Sequence, residues 1–195
     1  MDEPILKRHR KKKRIPSLPQ HNIIIKNADK DTGSWKESWK KPKKRSPGHL
    51  PHPFRLLALG GVGRGKTNSC KQIFLRHQSS AKKFQRLYVI TCDVDSREWL
   101  DCDPDILTDE MISLEEFDPK VKTCCVIDDF EWCKASKESQ KQLSTLMRFI
   151  SSHRNCSVIL SFQSYFDCPS IARKCANCFM IYKPNSRQEI TNIEN

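Results

Sequence analysis

The chain has 195 residues, a formal net charge of +12 and 37% hydrophobic residues. This length suits one domain with an appendage, and no stretch of the sequence is apolar over the length that a membrane-spanning helix needs. The first residues, MDEPILKRHR, lack the apolar core of a secretory signal peptide. We therefore expect an intracellular protein that does not associate with a membrane.

The positive charge is concentrated in the first quarter of the chain. Residues 1–50 contain 15 Lys and Arg against 5 Asp and Glu, a net charge of +10, whereas residues 51–195 carry a net charge of only +2. The basic runs KRHRKKKR at 7–14 and KKPKKR at 40–45 are typical of a segment that is disordered on its own. We predict a basic, disordered arm over 1–50 and a folded domain over 51–195.

The composition of this arm is typical of nuclear-import signals and of segments that neutralise nucleic-acid phosphate. An arm that only improves solubility is the alternative. Trp35 and Trp39 are four residues apart and would share one face of a short helix that docks on a partner.

The first predicted strand of the domain, 54–59, leads into a cluster of glycines. Four of the six glycines of the chain lie within GGVGRGKT, which matches the pattern G-x-x-x-x-G-K-[ST] of a phosphate-binding loop. A predicted helix at 66–77 follows, and it completes the strand, loop and helix that the motif requires. The predicted phosphate-binding residues are Gly60, Gly61, Val62, Gly63, Arg64, Gly65, Lys66, Thr67 and Asn68.

Beyond this helix, short apolar runs alternate with helical patterns, which predicts βαβ units and a mainly parallel sheet. Further strands are predicted at 86–91, 121–127, 157–162 and 177–182, and further helices at 136–151 and 169–175. Residues 93–119 are acidic and predicted to be irregular. The predicted fold class is α/β, a P-loop NTPase three-layer sandwich.

Polar residues follow two of the predicted strands, at the edge of the sheet where α/β proteins bind ligands. Asp128 and Asp129 follow the third strand, and Gln163 follows the fourth. Because an unpaired charge at the end of a buried strand is costly, we predict that Asp128 holds Mg²⁺ together with Thr67. Asp129 would be the general base for the attacking water, and Gln163 would orient that water or sense the γ-phosphate. Lys66 would bind the phosphates of ATP.

The ten cysteines do not predict a disulfide framework. Cys124, Cys125 and Cys156 fall inside apolar runs, where a free cysteine behaves as a small buried hydrophobe, and a reducing environment is expected. The sequence CANC at 175–178 has the spacing of a metal-ligand pair, with a cysteine and a histidine upstream, but no second close pair accompanies it. Structural cysteines are therefore favoured over a zinc site.

Two stretches resemble the poxvirus-type DNA-packaging ATPases of the FtsK/HerA superfamily, a group that includes ATPases of large DNA viruses and virus-like transposons. HPFRLLALGGVGRGKT at 52–67 is similar to the proline, phenylalanine and arginine that precede the phosphate loop in that family. HRNCSVILSFQSYFDCPSIARKCANCFMIYK at 153–183 is similar to its strand with a terminal glutamine, followed by a helix and a last strand. The resemblance covers roughly residues 52–190.

The resemblance implies an additional-strand fold (ASCE, RecA/FtsK-like), in which the strand before Gln163 lies between the loop strand and the strand that ends near Asp128. It also implies a ring, a pentamer or hexamer, in which a neighbouring subunit supplies an arginine finger worth a factor of about 10³ to 10⁵ in rate. Arg154 is the first choice for this finger and Arg148 the second. The choice is open because relatives have Arg-His before the strand, where this chain has SHR at 152–154.

The function implied by the resemblance is an ATP-hydrolysing motor, stimulated by DNA, that translocates double-stranded DNA and packages a viral genome into a capsid. ATP and Mg²⁺ would be its cofactors, capsid or portal proteins its partners, and an importin a partner of the basic arm. We expect the host nucleus rather than a cytoplasmic virus factory, and association with the virion.

Two alternative functions stay open. One is another nucleic-acid ATPase, such as a helicase or a DNA-segregation pump. The other is a nucleotide-gated DNA-binding or assembly protein with slow hydrolysis. A GTPase is disfavoured because the sequence contains no N-K-x-D string for guanine recognition.

Overall fold

In this computed structural model the described residues are 25–27, 50, 52–79, 83–95, 98–183 and 191. Most of the predicted basic arm lies outside them, including both basic runs and the two tryptophans at 35 and 39. The fold is therefore described from residue 50 onward, together with one short segment of the arm.

The described residues build one seven-stranded sheet. Its strands are β1 Ile25–Asn27, β2 Arg55–Leu59, β3 Arg86–Thr91, β4 Ile106–Thr108, β5 Thr123–Asp128, β6 Cys156–Phe162 and β7 Cys178–Ile181. Their order across the sheet is β1-β7-β2-β6-β5-β3-β4, and all neighbouring pairs are parallel except β1 with β7. The prediction of an α/β fold with a mainly parallel sheet is confirmed.

The strand β6 lies between β2, which leads into the phosphate loop, and β5, which ends at Asp128. The register pairs Leu59 with Phe162 and Ile127 with Leu160, so these three strands end at the same edge of the sheet. The additional-strand order that the resemblance implied is therefore confirmed.

In the described part of the chain, four α-helices lie between strands: α1 Lys66–Gln78, α2 Lys137–Thr145, α3 Ser151–His153 and α4 Ser170–Cys175. Between α2 and α3 the chain continues as a π-helical segment, Leu146–Ile150. The predicted helix at 136–151 thus forms with a change of hydrogen-bond pattern within it. Two short 3₁₀ turns, Leu100–Cys102 and Leu114–Glu116, lie in the segment between β3 and β5.

Helices cover both faces of the sheet. Successive residues of a strand point to opposite faces, so one strand can contact both helical layers. Leu56 of β2 belongs to the same buried cluster as Ile73 of α1. Leu57, the next residue of β2, belongs to the cluster on the other face, together with Leu143 of α2. The sheet thus forms the middle layer of the three-layer sandwich that the sequence predicted.

The prediction that residues 93–119 are irregular is wrong at β4. This three-residue strand pairs with β3, and the residue before it strengthens the contact: the Leu87 N–H donates to Asp105 Oδ2 (2.7 Å), and the Asp105 N–H donates to the Leu87 carbonyl (2.8 Å). Because a strand this short beside an acidic residue has no readable side-chain alternation, the sequence pattern did not reveal it.

The strand β1 is part of the segment that was predicted to be a disordered arm. It pairs antiparallel with β7 and places Ile25 opposite Met180. The sequence shows only a short apolar triplet there, Ile23–Ile25.

All ten cysteines are free. Cys124, Cys125 and Cys156 are completely buried, and burial raises the pKa of each of their thiols, so their predicted role as buried hydrophobes is confirmed. Among the residues that the structure describes, no group of three or more His, Cys, Asp and Glu side chains is arranged to hold a metal ion. Within that same part of the chain, no helix has both the length and the apolar character to span a bilayer.

Candidate active site

The phosphate loop joins β2 to α1 through two glycines that have left-handed backbone. Gly63 has φ +69° and Gly65, the N-cap of α1, has φ +81°, a region that side chains disfavour. The first turn of α1 contains no acidic residue. The free N–H groups at this helix end and the helix dipole therefore favour a bound anion such as phosphate.

Gly60 is required for close packing. A Cβ at this position would lie 2.6 Å from the Cβ of Tyr182, a distance that a side chain cannot occupy. Backbone hydrogen bonds fix the chain here on both sides of β2. The Gly60 N–H donates to the Phe162 carbonyl (3.1 Å), and the Tyr182 N–H donates to the Leu59 carbonyl (2.9 Å). The loop therefore leaves the sheet between β6 and the residue that follows β7.

Tyr182 also contacts the far end of the phosphate loop. Its hydroxyl lies 3.3 Å from the Gly65 carbonyl oxygen and hydrogen-bonds to the Ser69 hydroxyl on α1. Sequence reasoning missed Tyr182 because the contact joins residues that are more than a hundred positions apart.

Lys66 directs its ammonium group toward the ends of the neighbouring strands. The residue is only 5% exposed, its Nζ donates to the Gly61 carbonyl (3.3 Å), and the same atom lies 3.9 Å from Asp129 Oδ1. The structure thus brings together two of the residues that the sequence predicted to be catalytic.

Asp128 is the last residue of β5 and is 3% exposed. Its Oδ2 accepts a hydrogen bond from the Trp99 indole N–H (2.8 Å), and its Oδ1 accepts one from the Ser161 hydroxyl. Within the described part of the chain, no lysine, arginine or histidine forms an ion pair with Asp128.

A divalent cation fits this arrangement, because a buried carboxylate without a positive partner is costly. Carboxylate and hydroxyl oxygens are ligands that Mg²⁺ prefers. Asp128 and the half-buried Thr67, in the first turn of α1, are the residues that would hold the ion.

Asp129 turns out of the strand. Its φ of 49° lies in the left-handed region, which aspartate tolerates better than most side chains, and its N–H donates to Ser161 Oγ (3.2 Å). The side chain is 39% exposed, so a water molecule can reach the carboxylate. Asp128 therefore stays inside the sheet while Asp129, the next residue, faces the loop.

Gln163 follows β6 directly and is exposed. It lines a cavity of about 280 Å³ together with Asp129, Glu131 and Asp167. The predicted general base and the predicted sensor thus open onto the same space. Their chemical roles remain predictions.

The structure does not bring Arg154 to this edge of the sheet. Arg154 precedes β6, at the opposite end of the strand from Gln163, and its Nη1 donates to the carbonyls of Leu114 (2.8 Å) and Phe117 (3.3 Å). Arg148 lies on the π-helical segment and is exposed. The contacts of Arg154 thus hold it away from the phosphate loop of its own subunit.

The HPFR residues that precede the loop lie at the other end of β2. Arg55 donates from Nε to the Cys175 carbonyl (2.6 Å), and Phe54 is completely buried. The His52 ring bridges Ser157 Oγ (2.6 Å) and Asn155 Oδ1 (2.7 Å). These residues connect the amino ends of the parallel strands and do not touch the phosphate loop.

No protein-family model and no curated protein matches this chain. Solved structures do match it. The cytoplasmic domain of EssC aligns with a TM-score of 0.58 at 14% identity, over 72% of this chain and 33% of that chain. The genome packaging NTPase B204 from Sulfolobus turreted icosahedral virus 2, in complex with sulfate, aligns with a TM-score of 0.56 at 17% identity, over 75% of this chain and 81% of that chain.

The fold is that of a P-loop NTPase. A third similar structure, EssC (ATPases 2 and 3) from Geobacillus thermodenitrificans, has a TM-score of 0.55 at 11% identity. This chain spans about a third of each EssC chain. The fold that the resemblance implied is therefore confirmed.

Proposed function

We propose that this chain is a Mg²⁺-dependent ATPase that moves double-stranded DNA, and that its substrate is a viral genome on its way into a capsid. The observation that carries the ATPase part is the 3.9 Å contact between Lys66 and Asp129. It puts the phosphate-binding lysine beside a partly exposed carboxylate, at the edge where β5 and β6 end.

Each residue of the site has a role in hydrolysis that follows from its position. The loop N–H groups and Lys66 hold the phosphates of the nucleotide. Asp129 accepts a proton from the attacking water, and Gln163, which lines the same cavity, orients that water. Thr67 and Asp128 would hold Mg²⁺, which would supply positive charge to the phosphates of the nucleotide.

The proposal that the substrate is DNA is supported by two observations outside the site. B204, which shares this fold, is described as a DNA-packaging ATPase and has been solved with ATP-γS and AMPPCP. In addition, the net charge of +10 on residues 1–50 suits salt-sensitive contacts with phosphate.

We further propose that the active form is a ring of five or six subunits in which Arg154 or Arg148 serves the site of a neighbour. Capsid or portal proteins would anchor the ring. The basic arm would bind DNA or an importin, which would bring the protein to the host nucleus. Within that scheme the protein would also be found in virions.

The ATPase rate of the purified protein, measured with and without double-stranded DNA while light scattering follows its mass, tests this function. We expect DNA to raise the rate in a ring-sized species, and Lys66→Ala to abolish hydrolysis both with and without DNA. A monomer whose slow rate does not respond to DNA would contradict the motor and favour a nucleotide-gated assembly protein.

Replacing the lysines and arginines of the basic runs at 7–14 and 40–45 by neutral residues tests the arm separately, because it leaves β1 in the sheet. We expect basal hydrolysis to persist while DNA affinity or nuclear entry falls. If both were unchanged, the arm would have only a solubilising role.

A further inference from the structure

We propose that Trp99 is a positioning residue for the metal-binding carboxylate of Asp128. This inference rests on the proposed function, because it concerns the same Mg²⁺ site. The Trp99 Nε1–H donates to Asp128 Oδ2 at 2.8 Å, and both side chains are buried, at 1% and 3% exposure.

The two oxygens of Asp128 are held by two different donors. Trp99 binds Oδ2 and the Ser161 hydroxyl binds Oδ1, so the plane of the carboxylate is fixed. Each oxygen can accept more than one hydrogen bond or ligand contact. The clamp therefore leaves lone pairs on Asp128 for a metal ion or a metal-bound water.

Both donors are neutral, and this matters for a metal ligand. A lysine or arginine in place of Trp99 would orient the carboxylate but would also neutralise it, and the carboxylate would then attract a cation less strongly. An indole N–H holds the group in place and leaves its negative charge available. Buried hydrogen bonds of this kind are the usual way in which a metal ligand is oriented.

The segment that carries Trp99 is itself fixed to the elements around the site. The Lys71 ammonium, on α1, donates to the Glu98 carbonyl, and the Cys102 N–H donates to the Trp99 carbonyl (2.9 Å). A few residues later, Asp105 exchanges two hydrogen bonds with Leu87 of β3. The indole is thus held between the helix that follows the phosphate loop and the strand next to β5.

Packing alone does not explain the hydrogen bond between the Trp99 indole and Asp128. Trp132 is buried to a similar extent, at 6% exposure, yet its indole nitrogen has no hydrogen-bond partner among the described residues. A buried tryptophan in this protein is thus tolerated without a carboxylate acceptor. Trp132 lines the cavity beside Asp129 without a hydrogen bond to a carboxylate, so it provides a control for the loss of a buried indole near the site.

Trp99→Phe keeps most of the buried surface and removes the donor. The measurement is the calorimetric affinity for AMPPCP with Mg²⁺ and again with EDTA, in the wild-type protein, Trp99→Phe and Trp132→Phe. We expect Trp99→Phe to reduce the Mg²⁺-dependent gain in affinity by about tenfold, as for a lost hydrogen bond to a charged group. Its affinity in EDTA, and the Mg²⁺-dependent gain of Trp132→Phe, should match the wild type.

A second variant separates positioning from general damage. In an Asp128→Asn background, Trp99→Phe should cause no further loss of Mg²⁺-dependent affinity, because the carboxylate that it orients is gone. An additional tenfold loss there, or a wild-type Mg²⁺ response in Trp99→Phe alone, would overturn the role of Trp99. A wild-type protein whose AMPPCP affinity does not depend on Mg²⁺ would overturn the proposed function together with this inference.

The intact protein offers a test that needs no folded variant at position 99. With ¹⁵N-labelled tryptophan, the wild-type chain has four indole N–H groups, and the signal of the indole at position 99 should move when Mg²⁺ is added to the AMPPCP complex. We expect the same movement in Trp132→Phe. A set of indole signals that all ignore Mg²⁺ would overturn the inference.

Discussion

The ammonium of Lys66 and the Oδ1 atom of Asp129 lie 3.9 Å apart, although 62 residues separate them in the chain. Lys66 is buried where α1 begins, and Asp129 leaves the end of β5 with left-handed backbone. In the proposed mechanism, Lys66 binds phosphate and Asp129 takes a proton from water. Their contact therefore predicts different consequences for the loss of each.

Asp129→Asn should retain nucleotide binding and lose hydrolysis. The substitution removes a negative charge beside Lys66, so ATP affinity should stay the same or increase, while the turnover rate should fall about 10² to 10⁴-fold with the loss of the general base. Binding of a fluorescent ATP analogue and steady-state phosphate release measure the two effects. Wild-type turnover in this variant would show that another group is the base.

Gly60→Ala should destabilise the fold, because the new methyl group would lie 2.6 Å from the Tyr182 Cβ. Such a contact forces the loop or β7 to shift and should cost about 1–3 kcal/mol in the free energy of unfolding. Urea unfolding measures the cost. ATP affinity should fall as well, since Gly60 begins the phosphate loop.

Two further variants isolate the cause. Tyr182→Gly removes the Cβ that Gly60→Ala would meet. Gly60→Ala should therefore cost less stability in the Tyr182→Gly background than in the wild-type protein. Gly63→Ala has no atom within 4 Å of its new methyl group and should cost only backbone strain, about 1 kcal/mol. Equal losses for Gly60→Ala with and without Tyr182→Gly would rule out the steric explanation.

Stability should fall with pH below about 6.5 because of His52. Asn155 Oδ1 can only accept, so the His52 Nε2–H donates to it, and Nδ1 of the neutral ring accepts from the Ser157 hydroxyl, which itself accepts from the Phe54 N–H. A neutral ring satisfies all of these bonds, and burial lowers the pKa of His52 from 6.5 to about 4. In the unfolded chain the ring takes up a proton near pH 6.5, whereas the folded protein resists protonation until about pH 4. The stabilisation is therefore complete above pH 6.5 and is lost as the pH falls toward 4.

Because the His52 ring is only half-buried, we expect about 1–2 kcal/mol rather than the full value of the shift. Urea unfolding of the wild-type protein and of His52→Gln between pH 4 and 7.5 measures this contribution. It is the difference between the two profiles of unfolding free energy against pH. Parallel profiles would mean that folding does not change the pKa of His52.

Arg154→Ala and Arg148→Ala should differ in stability. Arg154 donates to two backbone carbonyls that would be left without this donor, so its loss should cost about 1–2 kcal/mol. Arg148 is exposed, and its loss should leave the thermal midpoint unchanged. Thermal unfolding measures the stability of the two variants, and the ATPase rate of the assembled protein measures their activity.

The activity of the two variants then distinguishes the candidate fingers. A variant that assembles normally, stays folded at the temperature of the assay and loses turnover identifies its arginine as the finger. Normal turnover in both variants would contradict the assignment of the finger to either residue.

The sequence could predict the loop and the strand-end residues because both depend on local rules. The glycine pattern demands its backbone wherever it occurs, and parallel strands put their carboxyl ends at one edge of the sheet. Asp128, Asp129 and Gln163 were therefore found from their position after an apolar run. The arginine finger could not be found in this way, since Arg154 and Arg148 differ only in contacts that the fold creates.

The amino-acid sequence by itself thus determined the phosphate loop, the strands other than β1 and β4, and the acidic and amide side chains at the strand ends. Only the tertiary structure decided that Trp99 and Ser161 clamp Asp128 and that Tyr182 closes over Gly60. It also decided that HPFR lies at the far end of β2. Each of these depends on which distant segments become neighbours, and burial and hydrogen bonding across the sheet settle this without leaving a local pattern in the chain.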